Sequence, residues 1–419
     1  MKIYMPQPIR FYARPRFFTC FFMMLLSLIL GVSTAKAQTK SASLIDKLAA
    51  EYVTDPRNHA VTIGIIRNGK TEIFTFGEIE KGKGVKPKPE AVFELGTVSE
   101  VFTTSLLALL ESEGKISSLD AVGDVLKGKV RVPYYQRIIC TPPQITPPLT
   151  LEGTTPYKGN ICYPDPNDAP QMMVLCDLAT HSAGLPSEPP SKLLNAKNPY
   201  ANFTADKLSR YVGNLPVNQA FGYKYNQSLI GMALLGQALS VKSGKTYETL
   251  LKDKILTPLS MTHTFITPTA EQAPFYLMGH TAKGKLTNHR HYNALAPAAG
   301  IRSSVPDLLR FVEANLAKGS TETFNIALSE THIPRLFPDP ANFTYMIGWG
   351  WISKSLTDKS KKRVYWRCSE QGGFASFVGF IKENSVGVVI LSNSANRVDN
   401  MGIKILEYLE SVPTTVSVD

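Results

Sequence analysis

The chain reads as a mixed α/β (α+β) fold in which one antiparallel sheet, built from both ends of the chain, is flanked by helices and interrupted by an inserted, mainly helical domain. Three observations predict it. A helix followed by a β-hairpin opens the ordered part of the chain, several strand-like runs cluster near its far end, and three apolar helices occupy the long stretch between. At 419 residues, 43% hydrophobic, 10% aromatic and 19% charged, the composition is that of a globular protein and excludes a disordered chain.

Residues 1–37 carry Lys2, Arg10, Arg14 and Arg16, an apolar run from Phe17 to Val32, and then Ala35-Lys36-Ala37. This is the pattern of a secretory signal with an A-x-A cleavage site after Ala37. The alternative is an uncleaved membrane anchor, for which the run is near the short limit. Cleavage lowers the formal charge from +11 to +6, because residues 1–37 hold five cations and no acids. The remaining basic residues are scattered without interleaved aromatics, so nucleic-acid binding is not expected. Membrane contact is expected only through an uncleaved signal.

Residues 43–53 (SLIDKLAAEYV) form an amphipathic helix, and VTIGIIR (61–67) and TEIFTFG (71–77) form two strands joined by Asn68-Gly69. Asn-Gly supplies the positive φ angles of a tight hairpin turn. Residues 101–114 repeat apolar side chains at helical spacing and stop at Gly114; residues 229–244 do the same and end on Gly244; residues 306–319 begin on Pro306. Strands are expected at 344–352, 362–368, 375–381 and 386–392, and a final helix at 401–409. The sheet domain is therefore assigned to 38–96 with 341–412, the helical domain to 97–340, and a tail to 413–419.

Within the helical domain, residues 131–170 contain nine prolines, which argues against any regular element there and for a long surface excursion. Cys140 and Cys162 bracket its Pro-rich part, and in an oxidising compartment they are candidates to close that loop as a disulfide. No CxxC or Cys/His pattern suggests a metal, and His289 with His291 reads as a pair of loop histidines. No cofactor is expected.

Six segments in order, FELGTVSEVF (93–102), LATHSAGLP (178–186), FGYKYNQSLIGMALLG (221–236), the stretch 243–264, PAAGIRSSVPDLLRF (297–311) and QGGFASFVGFIKENSVGVVILSN (371–393), resemble the serine β-lactamase-like family. That family includes class C β-lactamases, D-alanyl-D-alanine carboxypeptidases and related esterases. The resemblance spans Ser43 to Leu409 and implies a β-lactamase/transpeptidase-like fold.

It also implies a site built from three motifs, and each departs from the family pattern. The nucleophilic serine and the lysine three residues later are matched by Thr97 and Glu100. A Tyr-x-Asn is matched either by Tyr225 and Gln227 or, two residues on, by Gln227 and Leu229. The Lys-Thr-Gly strand is matched by Arg367, Cys368 and Ser369, followed by Glu370. In this reading Thr97, Glu100 and Tyr225 occupy catalytic positions, while Gln227, Arg367, Ser369 and Glu370 occupy substrate-binding ones. The backbone N–H groups of residues 97 and 370 remain as oxyanion donors, and Glu100 and Arg367 are expected to pair across the cleft. His181 and the turn around it read as scaffolding.

These losses together favour a catalytically inactive exported protein acting through binding, with a cell-wall peptide, a β-lactam-like ligand or an envelope protein as partner. The alternative is an active hydrolase of β-lactamase, carboxypeptidase or esterase type using Thr97 as nucleophile. A purely structural scaffold is a third reading.

Overall fold

The computed structural model describes residues 43–141, 161–338, 345–356 and 362–412. The signal segment, the centre of the Pro-rich stretch and the tail lie outside the described residues. In chain order a helix α1 (43–54) precedes the hairpin β1 (Ala60–Arg67) and β2 (Lys70–Gly77), then β3 (Val92–Glu94). The helical part holds α2 (Ser99–Ser112), α3 (Val122–Val125), α4 (Leu175–Ala179), α5 (Ala205–Gly213), α6 (Leu229–Ser243), α7 (Tyr247–Leu251), α8 (Ala296–Ala299), α9 (Val305–Glu313) and α10 (Glu322–Thr331). It also carries the short pairs β4 (Ile138–Thr141) with β5 (Ile161–Pro164) and β6 (Gly279–His280) with β7 (Leu286–Thr287), and β8 (Arg302–Ser304), which pairs with β3. The chain closes with β9 (Met346–Ile347), β10 (Ile352–Ser355), β11 (Arg363–Gln371), β12 (Phe374–Ile381), β13 (Val386–Ser392) and α11 (Asp399–Ser411).

Seven of these strands form one antiparallel sheet in the order β2-β1-β13-β12-β11-β10-β9. The N-terminal hairpin thus docks on the last strand, Val61 opposite Ser392, so that both ends of the chain share one sheet. Its hinge residues Asn68 and Gly69 have φ of 51° and 78°, the conformation the Asn-Gly turn requires.

Both faces of the sheet are covered, which is why β12 and β13 read as continuous apolar runs. Phe377, Ile381, Val388 and Ile390 pack toward α1 and α11, whereas Phe374, Val378, Phe380 and Leu391 pack toward the helical domain. At Gly64 in β1 the sheet meets α9 so closely that a Cβ would lie 2.4 Å from Val305 Cγ1. The core of the helical domain is α2 and α6, each apolar on nearly every side and therefore enclosed by other helices.

Two expectations change. The single strand expected at 344–352 is split, because Gly348 to Trp351 form a turn that buries both tryptophans. The Pro-rich stretch is not devoid of regular structure: β4 and β5 form a two-stranded ladder whose register sets Cys140 opposite Cys162. Prolines fall outside that ladder except at its last residue, Pro164, so they do not interrupt its hydrogen bonds.

Candidate active site

Thr97 lies in a single 3-10 turn, Gly96–Val98, that leads into α2. The turn is held under the sheet because Gly96 adopts φ 53° and has no side chain to strike Ser369 Oγ, which a Cβ would approach to 2.1 Å. One α-helical turn later Glu100 points into the interior and is completely buried. Opposite stands β11, whose alternate residues Arg367 and Ser369 face this turn, while Val364, Trp366 and Cys368 face α11.

The Thr97 backbone N–H donates to Ser369 Oγ at 3.0 Å, and the Thr97 hydroxyl donates to the carbonyl of Cys368 at 3.0 Å. Ser369 was expected to contact substrate; its hydroxyl instead occupies the position in front of the Thr97 N–H. This corrects the expectation that residue 97 offers a free oxyanion donor. A glycine at 369 would leave that N–H open; the added Cβ and hydroxyl close it. The Thr97 hydroxyl proton points at a carbonyl, which is no base, and no hydrogen bond joins the Thr97 and Glu100 side chains among the described residues.

Arg367 is likewise not a surface cation waiting for a carboxylate. It is 2% exposed, and its Nη2 donates to Glu100 Oε2 while Nε donates to the Thr97 carbonyl at 3.4 Å. Burial pulls its guanidinium down to about 10, which still leaves it charged at neutral pH. A buried carboxylate without a partner is costly, and this cation is what allows Glu100 to sit there. The expected charge pair across the cleft is thus formed, and it removes Arg367 from the substrate side.

His181 completes the cluster. Its Nδ1 accepts the Ser228 N–H at 3.2 Å, so Nε2 carries the proton and donates to Glu100 Oε2 at 3.0 Å. Complete burial lowers its pKa to about 4, and the ring is neutral at pH 7. The residue holds the uncommon φ of 57°, and Asn226 N–H donates to its carbonyl at 2.8 Å. Glu100 Oε2 therefore receives two donors, while Oε1 has no partner among the described residues.

Tyr225 stands edge-on to His181, with ring centroids 5.8 Å apart, on the loop that enters α6. Burial raises its phenol to about 12, so it is protonated and no phenolate base. Gln227 follows on the same loop, half-buried, and Ser228 caps α6. Leu229 is the first residue of α6 and packs in the core. Of the two sequence registers, the geometry supports Tyr225 with Gln227.

Glu370 is not a cleft residue. By the alternation of β11 it projects to the other face, where its carboxylate meets Arg397 Nε at 3.2 Å beside Asp399. His181 is the residue that sequence reading missed as part of the site. The available signal was one imidazole inside the apolar run LATHSAGLP, since a buried ring nitrogen demands a polar partner in the core.

The β-lactamase family pattern matches residues 45–409, and the chain belongs to that family. Among curated relatives it is similar to the D-alanyl-D-alanine-carboxypeptidase/endopeptidase AmpH of Escherichia coli, at 22% identity over 351 residues covering 80% of each chain. It is also similar to a β-lactamase of Pseudomonas fluorescens, at 23% identity over 80% of this chain and 88% of that one. In structure it is similar to a class C β-lactamase, with TM-score 0.70 and 19% identity over 90% of this chain and 98% of the other. A β-lactamase/D-alanine carboxypeptidase from Pseudomonas syringae superposes with TM-score 0.70 at 18% identity, over 90% of this chain and all of that one. The expected fold and family are those found.

Proposed function

We propose that this chain is a catalytically silent member of the β-lactamase family, exported to the periplasm, that acts by binding a cell-wall peptide or an envelope partner. The observation that carries this reading is the state of Thr97. Its N–H is spent on Ser369, its hydroxyl on the Cys368 carbonyl, and the side chain in the lysine position, Glu100, is held by Arg367 and His181. Acyl transfer needs a nucleophile whose proton a base can take, and donors left open for the developing oxyanion. This arrangement offers no base for the Thr97 proton and closes one of the two expected oxyanion donors, the Thr97 N–H. The secretory pattern of residues 1–37 and the bacterial carboxypeptidase and β-lactamase relatives support the location.

Turnover of a chromogenic cephalosporin, p-nitrophenyl acetate and a D-Ala-D-Ala peptide tests the reading. Rates equal to those of Thr97→Ala are expected for all three substrates. A wild-type rate well above that of Thr97→Ala would restore the threonine-hydrolase reading. Thr97→Ser with Glu100→Lys is expected to recover no activity, because the new lysine would face Arg367 and Ser369 would still cover the N–H.

A further inference from the structure

A second region of the helical domain has the features of a binding site. Three cavities follow one another from α6 along the chain between Ile266 and Arg302, each sharing lining residues with the next. The first, about 320 Å3, is bounded by Leu208, Ala233, Gly236, Tyr247 and Pro297 and is chiefly apolar. The second, about 470 Å3, shares Ile266, Asn293 and Ala296 with it and reaches Arg302 and His291. The third, about 210 Å3, shares Arg302 and His291 with the second and adds His289. Thr97, Glu100, Tyr225 and Ser369 line none of them.

Arg302 is the unusual group. It is 4% exposed, yet its direct partners are neutral: Nε donates to Tyr276 Oη at 3.1 Å, Nη1 to the carbonyls of Ile266 and Gly300 at 2.6 and 2.8 Å, and Nη2 to the carbonyl of Arg290. Four of its five N–H groups have acceptors among the described residues. Glu94, buried and directly opposite Arg302 in the β3–β8 ladder, is linked to it through shared partners, accepting from the Tyr276 hydroxyl at 2.5 Å and from the Arg290 N–H at 2.9 Å. Buried charges are ordinarily paired directly, whereas no carboxylate touches Arg302 among the described residues, and Arg302 lines the second and third cavities, of which His291 borders both and His289 the third. Glu248 borders the apolar cavity, but Thr267 occupies both of its oxygens, at 2.7 and 3.1 Å, which sets the anion-accepting end at Arg302. In the apolar cavity Gln237 donates through Nε2 to Ser209 at 3.3 Å, and its buried Oε1 has no partner among the described residues.

We propose that this groove binds a small amphipathic carboxylate, with its head at Arg302 and His291, its apolar body along α6, and a hydrogen-bond donor on that body meeting Gln237. A carboxylate completes the pairing of Arg302 with a charge-assisted bond, and the apolar wall takes the body out of water. The site is independent of the reading given to Thr97.

Calorimetric titration of the full mature chain with octanoate, 8-hydroxyoctanoate and octanol tests this assignment. Octanoate is expected to bind and octanol to bind at least about tenfold more weakly, as loss of a charge-assisted contact implies. The hydroxylated acid is expected to bind more tightly than octanoate. His291→Glu, at an exposed position, should weaken octanoate on the order of tenfold and leave octanol unchanged. Ala205→Trp, on the exposed rim of the apolar cavity, should weaken both. Absence of octanoate binding at about 10 mM, where even a ligand of millimolar Kd would be bound, equal affinity for acid and alcohol, or indifference to both variants would overturn the proposal.

Discussion

Replacing Arg367 by methionine probes the cluster beneath Thr97 most sharply. The substitution keeps an unbranched side chain of similar reach and deletes only the charge, leaving a fully buried Glu100 with His181 as its remaining donor. Breaking a buried ion pair by removing one partner costs about 3–5 kcal/mol, most of it the penalty of the abandoned charge. Urea unfolding of a domain this large has a slope of about 3 kcal/mol per M, so the midpoint should fall by about 1 M or more at unchanged slope. Glu100→Gln combined with Arg367→Met removes both charges together and should be more stable than Arg367→Met alone, giving a coupling energy of about 2–3 kcal/mol in the double-mutant cycle. A loss below about 0.5 kcal/mol in Arg367→Met, or a double variant whose loss is the sum of the singles, would refute the pairing argument.

His181 supplies a pH-dependent prediction. Its folded pKa, about 4, lies below the unfolded value of 6.5, so the unfolded state binds the proton more readily and the contribution of His181 is present above pH 6.5 and lost as pH falls toward 4. The stability difference between wild type and His181→Gln should therefore shrink by roughly 3 kcal/mol between pH 7 and 4, and a pH-independent difference would contradict the neutral assignment. Gly96→Ala places a methyl against Ser369 at a positive φ and should cost about 1–3 kcal/mol by thermal unfolding. Gly64→Ala, which drives a methyl into Val305, should cost a similar amount through overpacking. The register of β4 and β5 places Cys140 and Cys162 at the separation of directly opposed strand residues, about 4.5–5.5 Å between Cα atoms, which is within disulfide reach. Non-reducing peptide mapping of protein produced in an oxidising compartment should find these two joined and Cys176 and Cys368 free.

Much of the architecture was legible because its signals are local. Asn68-Gly69 fixes the first hairpin, Gly244 at φ 70° ends α6, and the apolar runs of β12 and β13 announce strands buried on both faces. The β4–β5 ladder was hidden because proline content describes the stretch as a whole, whereas pairing depends on where each proline falls. In the site, the opposite charges of Glu100 and Arg367 pointed to their pairing across a sequence separation of 267. What could not be read was direction. Ser369 and Glu370 are neighbours in sequence, and only the strand alternation sends one hydroxyl onto the Thr97 N–H and the next carboxylate to Arg397 on the far face. His181 was obscured for a related reason: it sits in the turn after α4, and its partner lies 81 residues away in α2.

The central claim is that Thr97 is closed to acyl transfer by its own surroundings. Intact-protein mass spectrometry after prolonged incubation with a fluorescent penicillin tests it directly. The closed arrangement predicts the unmodified mass and no label above that of Thr97→Ala. A stoichiometric adduct mapped to Thr97 would contradict it.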